Sequence, residues 1–472
     1  MEDLDEALLC HRDALKLQPW PHPNRPMSLN SVAAQLMMSF VQSGQREDLH
    51  KAISLYREAL EPQHTPRSNR YMSLNNLALA LEYLFDEDGQ HEQLEAALDV
   101  YNESINAIVS GHPHMTRISS KLAATLIKAY SHTKQLEYLA KAMAAYRNAV
   151  MCEAALASLR FRAAISWAHD ADHHHQPALD AYEAAIELLP RLAMLGLDLQ
   201  SRQQALTMGS DGLAHDAAAY AITSGQYEKA VELLEAGRAI FWSQALTLCT
   251  PMAVVLEVAP DLGDKLRHIS IVLEQGSLRD VSRSLFDTPQ KVVSMEKEES
   301  NFRHLNNEWL ATLEQVRQLE GFQDFLRPSQ LSTLLHAAAN GPIVALNASK
   351  TSGHCAALIL TSTGVQCIPL LDLSFTKLTT LVELLRHAIV QHGRDVFFLQ
   401  SSEYLRHLVQ QMSFISSSLQ LLREQLERHF KRVRDPSAHP DNIFQFVLSV
   451  LWESVVEPVI RTLDLKVKMI LQ

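Results

Sequence analysis

The sequence predicts a mainly α protein: a solenoid of stacked helix pairs, then a helical connector, then a small α/β segment on a three-stranded antiparallel meander. Three observations carry this. Apolar and small residues recur every 45 positions over roughly the first 150 residues. Helical patterns without a fixed period follow, from about 190 to 340. At Gly341 the pattern changes to short apolar runs separated by turn residues.

The repeat sets the first element. Leu4, Leu49, Leu94 and Leu139 are spaced by 45 residues, as are Ala7, Ala52, Ala97 and Ala142. His11, Tyr56, Tyr101 and Tyr146 share the spacing, and so do Ala14, Ala59, Ser104 and Ala149. Offsets of three, four and three residues place these positions on one helical stripe. Small residues seven apart admit a neighbouring helix backbone, and the ring between them fills the gap. The partner helix comes earlier in each unit, at 27–40, 72–85 and 118–130. Gly44 and Gly89 fall where a C-terminal cap is expected. The stretches 61–70 and 109–117 read as loops between units. The sequence begins within a unit, at its second helix, so its first edge is expected to be raw rather than capped.

A helix pair cannot bury its apolar face alone, and stacking on neighbours solves this. The pattern resembles tetratricopeptide repeats. That family's second helix carries Ala, an aromatic four later and Ala three later, matched by Ala52–Tyr56–Ala59 and Ala142–Tyr146–Ala149. Ala178, Tyr182 and Ala185 match too, with Pro190 where the family places its terminal proline. A weaker copy lies at 229–237, giving five or six units within a solenoid over 1–235.

The connector, 236–340, continues helices that begin earlier, with 201–246 reading as long helices around a turn at Ser224–Gly225. Further helices are expected at 264–277 and 301–326. The charged stretch 290–301 reads as a connection or a solvated helix start. Strands are expected at 341–349, 354–361 and 365–371, then helices at 374–392, 396–434 and 442–463. The final "LDLKVKMILQ" alternates like a fourth strand.

Five stretches from 189 to 350, among them "YEKAVELLEAGRAIFWSQAL", "GFQDFLRP" and "NGPIVALNASK", are similar to fungal proteins with tetratricopeptide repeats and a CHAT domain. CHAT domains are caspase-like peptidase domains. The resemblance implies that 341–472 is the N-terminal part of such a domain. In that family a Trp-Cys-Pro-type strand follows the segment similar to "LWESVVEPVI", and the catalytic His and Cys come later. No residue here matches those positions, so the resemblance implies a truncated, incomplete, catalytically incompetent CHAT domain. The alternative it leaves is a fragment of a caspase-like cysteine peptidase whose His and Cys lie beyond residue 472.

Composition narrows the function. A net charge of −12 argues against a nucleic-acid partner. No apolar run approaches the ~18 residues of a membrane span, and the acidic N-terminus lacks the features of a signal peptide. Cys10, Cys152, Cys249, Cys355 and Cys367 are scattered without a C-x-x-C, which points to a reduced, cytoplasmic setting.

Chemistry finds little support. His354 and Cys355 are adjacent on a strand and point to opposite faces, so they form no dyad. Nothing selects a histidine for Cys367. His169 and His173 have a zinc-compatible spacing, with His174 and His175 following. They read as a solvated loop before Pro177, without a ligand set. "FDEDGQ" (85–90) lacks the later ligands of a calcium loop, and the basic stretch 422–434 reads as a solvated helix face. No catalytic residue, metal or cofactor is expected, and the chain reads as a non-enzymatic protein-interaction scaffold. A solenoid offers a groove for a protein or peptide partner. Asn30, Asn75 and Ser120 occupy equivalent first-helix positions, either lining that groove or facing solvent.

Overall fold

The computed structural model describes residues 11, 13, 15–19, 22–61, 70–192, 212–238, 240, 253–277, 289–323, 325–326, 331–391 and 441–463. Leu4, Ala7 and Ala14, the helix expected at 396–434 with its basic stretch, and the strand expected at the end of the sequence lie outside the described residues. Backbone contacts divide the chain into two compact units, Met1–Leu192 and Ala193–Gln472.

The first unit is a succession of helix pairs. They are α1 (Arg25–Ser43) with α2 (Arg46–Ala59), α3 (Arg70–Asp88) with α4 (His91–Ala107), α5 (His114–Thr133) with α6 (Leu136–Met151), and α7 (Ala157–His173) with α8 (Leu179–Leu192). Each second helix packs on its own first helix, and the first three also pack on the first helix of the next pair. The chain reverses within each of the first three pairs by the same device. Gly44, Gly89 and Lys134, 45 residues apart, have φ of 73°, 67° and 60°. Their N–H groups bond the carbonyls of Phe40, Phe85 and Tyr130, satisfying a helix-end acceptor. Lys134 performs the glycine's task with a side chain, its ammonium 5.8 Å from the Tyr130 ring centre.

The expected stripe is the core. Leu49, Ala52, Tyr56 and Ala59 are buried, as are their counterparts in the next two pairs, with Tyr101 at 0 % exposure. Opposite them, Ala33, Ala78 and Ala123, again 45 apart, are fully buried on the first helices. Small residues on both sides allow close backbone approach, so the ring has a fixed slot. The first two pairs are each clasped between the start of the first helix and the end of the second. Arg25 pairs with Glu58 at 2.6 Å and Arg70 with Glu103 at 2.7 Å. The loop expected at 109–117 is shorter than the sequence suggested. Pro113 already holds helical φ of −55°, and the His112 ring accepts the His114 N–H at 3.2 Å, so α5 starts at His114.

The second unit opens with α9 (Leu213–Thr223) and α10 (Tyr227–Gly237), turned at Gly225. The sequence groups 193–235 with the solenoid. In the structure α9 packs on β1 and α10 on β3 of the second unit's sheet. Next come α11 (Ala253–Val258), α12 (Pro260–Ser277) and α13 (Pro289–Arg317), so the charged stretch 290–301 is helical. These three enclose Val255, Leu266, Leu273, Leu313 and Val316, and the Trp309 indole donates to Ser270 at 3.1 Å. Helix α14 (Leu331–Ala337) leads to the sheet.

The sheet is the expected meander: β1 (Ile343–Ala348), β2 (His354–Thr361) and β3 (Gly364–Ser374), antiparallel in that order. Central β2 is buried from Cys355 to Leu360 on both faces, which is why it reads as an unbroken apolar run. Helix α15 (Phe375–Gln391) follows, then α16 (Asp441–Leu451), a π turn (Trp452–Val456) and α17 (Glu457–Thr462). Leu381, Leu384, Phe446, Val447 and Val450 pack with Cys355, Ala357 and Ile359. Contrary to the sequence expectation, the helix Ile443–Thr462 is long and apolar enough to cross a membrane by length and composition. Glu453 and Glu457 interrupt the run locally, but the apolar residues around them outweigh the two carboxylates.

Candidate protein-binding face

The first helices of the first unit expose several large apolar side chains. On α1 Met27, Met38 and Val41 are exposed, and on α3 Met72. Between them lie the predicted amides. Asn30 is half-buried, whereas Asn75 is 2 % exposed. Asn76, which the repeat reading passed over, joins them: its Nδ2 donates to Asn30 Oδ1 at 3.3 Å, and its Oδ1 accepts from Asn75 Nδ2 at 3.1 Å. Ser120, the third predicted position, is half-buried and donates to its own helix's Thr116 carbonyl at 2.7 Å. The structure therefore joins Asn30 and Asn75 through Asn76 and leaves Ser120 bonded within its helix.

The inter-pair contact is offset by one residue from strict register. Asn30 meets the residue 46 positions later, not 45. One unit on, the positions equivalent to Asn30 and Asn76 are Asn75 and Lys121. Asn75 Oδ1 is buried without a hydrogen-bond partner. Burial lowers the pKa of Lys121, nearby Arg117 lowers it further, and the Glu82 carboxylate opposes both. Lys128 behaves oppositely. Burial alone would lower its pKa, but Asp86 at 2.8 Å and Glu82 at 3.3 Å raise it overall.

Among the described residues, the other motifs are not brought together into one cluster. The stretch 169–175 is not the expected loop. His169 and His173 sit on the last turns of α7, which buried Ala168 and Ala171 carry onward, and the chain turns at His174 and His175. The His169 and His173 rings stack with centres 6.1 Å apart. No group of three or more metal-ligating side chains is placed to hold an ion among the described residues. "FDEDGQ" is the end of α3 and its Gly89 turn. Cys355 is buried beside exposed His354, and burial pushes the thiols of Cys355 and Cys367 up, away from the thiolate a nucleophile needs.

One cluster escaped the sequence reading. His215 and Asp216 on α9 meet Asn347, Ser349 and Thr351 around the end of β1. Ser349 Oγ donates to Asp216 at 2.6 Å and Thr351 Oγ1 at 2.7 Å. His215 Nδ1 faces Asn347 Oδ1 at 2.8 Å, and Asn347 Nδ2 donates to the His215 carbonyl at 3.0 Å. The residue types are those of a hydrolase triad, but the wiring differs. The serine proton goes to the carboxylate and no imidazole stands between them, so the cluster is a latch. Its members are 132 to 135 residues apart, beyond any sequence pattern.

No protein-family model matches the chain, and no curated protein does. Among solved structures, a Podosopora anserina protein described as a kinesin light chain with nearly identical TPR-like repeats is similar at 21% identity and a TM-score of 0.29, over 47% of this chain and 96% of that one. BtubC (BKLC) from P. vanneervenii is similar at 15% identity and a TM-score of 0.30, over 51% of this chain and 92% of that one.

Proposed function

We propose that the first unit is a protein-interaction scaffold that receives an extended segment of a protein partner along α1, α3 and α5. The observation that carries this is the half-buried amide pair Asn30–Asn76, flanked by exposed Met27, Met38 and Met72 and braced from below by buried Asn75. Amides offer both donors and acceptors to a peptide backbone, and methionine adapts its shape to varied apolar side chains. Selection of a phage-displayed peptide library on the protein tests it. Selected peptides should lose at least about tenfold in affinity for a Met38→Asp/Met72→Asp variant. Equal binding to both proteins would overturn the assignment of this face.

The similarity over 189–350 supports reading the second unit as the N-terminal portion of a CHAT-type domain, which would tie a recognition face to a peptidase-related module. The chain contributes no residue that matches the catalytic positions of that family. The scaffold reading, in a reducing cytoplasm, thus involves no catalysis by the chain itself. Peptide turnover abolished by both a thiol-alkylating reagent and Cys355→Ala would overturn it.

A further inference from the structure

Two equivalent joints of the first unit are closed by different chemistry. Between the first and second pairs, Arg46 at the start of α2 meets Glu87 at the end of α3 at 2.8 Å, with Asp88 3.7 Å away. Moving each position 45 residues on gives His91 at the start of α4 and His132 in the last turn of α5. The cation and anion that join one pair to the next are thus replaced by two imidazoles. Their ring centres lie 5.6 Å apart, and the Phe85 ring meets His132 edge to face at 5.5 Å. His91 is oriented as a metal ligand is. Its Nε2 lies 3.1 Å from Glu95 Oε1, the oxygen that also accepts the Tyr138 hydroxyl. A carboxylate there keeps the proton on Nε2 and leaves a lone pair on Nδ1. That Nδ1 is buried and has no hydrogen-bond partner. A buried acceptor left open costs free energy, and a bound ion removes the cost.

We propose that His91 Nδ1 and His132 hold a divalent ion of the zinc class, which staples the third helix pair to the second where the preceding joint uses an ion pair. Two imidazoles on one tetrahedral ion, each nitrogen about 2.0–2.1 Å from it, have ring centres about 5 Å apart. The observed 5.6 Å is close to that spacing. His132 is exposed, so it is the side chain that turns aside to admit the ion and returns to enclose it against the closed Nδ1. Imidazole suits zinc and its neighbours, whereas magnesium and calcium take oxygen ligands. Two protein ligands leave the other positions to water, so the ion exchanges rather than being locked in as in a four-ligand centre. The net charge of −12 favours a cation over an anion at the joint.

Hydrogen exchange of the full chain, read by mass spectrometry, reports on this joint apart from any other histidine. ZnCl2 at ten times its Kd should slow exchange in peptides covering 88–95 and 128–136 by about tenfold. MgCl2 should leave them unchanged. His91→Asn and His132→Asn should each remove the slowing, and Glu95→Gln should weaken zinc binding about tenfold by releasing the His91 ring. His169→Asn should keep the full effect. His91→Arg/His132→Glu rebuilds the ion pair of the preceding joint, so its exchange should no longer depend on zinc. Unchanged exchange of the two peptides in the wild-type chain with zinc would overturn the proposal. So would slowing that persists in both Asn variants, which would put the ion elsewhere, or a zinc response of His91→Arg/His132→Glu equal to the wild-type one.

Discussion

Ser104 Oγ donates to the Tyr71 carbonyl at 2.8 Å, joining the end of one helix to the start of its partner 33 residues earlier. In the next unit Thr116 Oγ1 donates to the Ala149 carbonyl at 2.7 Å, also across 33 residues. Positions 71 and 116 are equivalent, as are 104 and 149, so the same gap is bridged from opposite sides. Thr116→Val should cost about 1 kcal/mol. Adding Ala149→Ser should recover most of it by placing the hydroxyl where the preceding unit has it. Urea midpoints of the two variants decide the matter, and no recovery would mean the positions are not equivalent.

The Tyr101 ring fills a slot between small residues and is fully buried. Tyr101→Ala should destabilise the first unit by about 3–5 kcal/mol, because close-packed helices relax little around a lost ring. A loss under about 1 kcal/mol in urea unfolding would contradict the packing.

Lys134 holds a left-handed conformation that its counterparts Gly44 and Gly89 adopt without steric cost. Gly89→Ala should lower stability by about 1 kcal/mol. Lys134→Gly should raise it by about 0.5 kcal/mol, since relief of strain exceeds the loss of the contact with Tyr130. Thermal melts of the two variants should therefore shift in opposite directions.

Tyr56, Tyr101 and Tyr146 are all held above the ordinary tyrosine pKa, with burial the leading cause in each. In the unfolded chain they ionise near pH ~10, whereas the folded chain keeps their protons. Above that pH the unfolded state binds fewer protons, so stability falls as pH rises. The slope reaches about 1.4 kcal/mol per pH unit for each tyrosine. Their contribution is complete below pH ~10. Urea midpoints measured across the alkaline range should show this decline, and Tyr101→Phe should make it shallower.

The α9–β1 latch turns on Asp216, whose carboxylate accepts the Ser349 and Thr351 hydroxyls. Asp216→Ala strands fully buried Ser349 and should cost the second unit about 2–3 kcal/mol. Hydrogen exchange of the β1 amides should accelerate accordingly, while the Tyr101 helix keeps its protection.

The helix pairs and the meander were legible because period and alternation are local signals. The glycine turns were legible as well. The equivalent turn at Lys134 was not, since lysine carries no conformational signal and its backbone is set by the helices it joins. Helix α7 runs through His169 because buried Ala168 and Ala171 favour continuation over the polarity of the surrounding histidines. At the candidate face, Asn30 and Asn75 were visible by register. Asn76 was not, because neighbouring first helices are offset and contact runs 46 residues ahead. Offsets of this kind are decided by how helices settle against one another in three dimensions.

The clasps also separate two lengths. Arg25–Glu58, Arg70–Glu103, Tyr71–Ser104 and Thr116–Ala149 all span 33 residues, while the pattern itself recurs at 45. Each bead is thus closed on itself within its own stretch, and the remaining residues are spacer. Removing 45 consecutive residues from within the first three pairs rejoins positions of identical role. Such a chain can gain or lose whole beads through a single recombination step, without re-solving its interior.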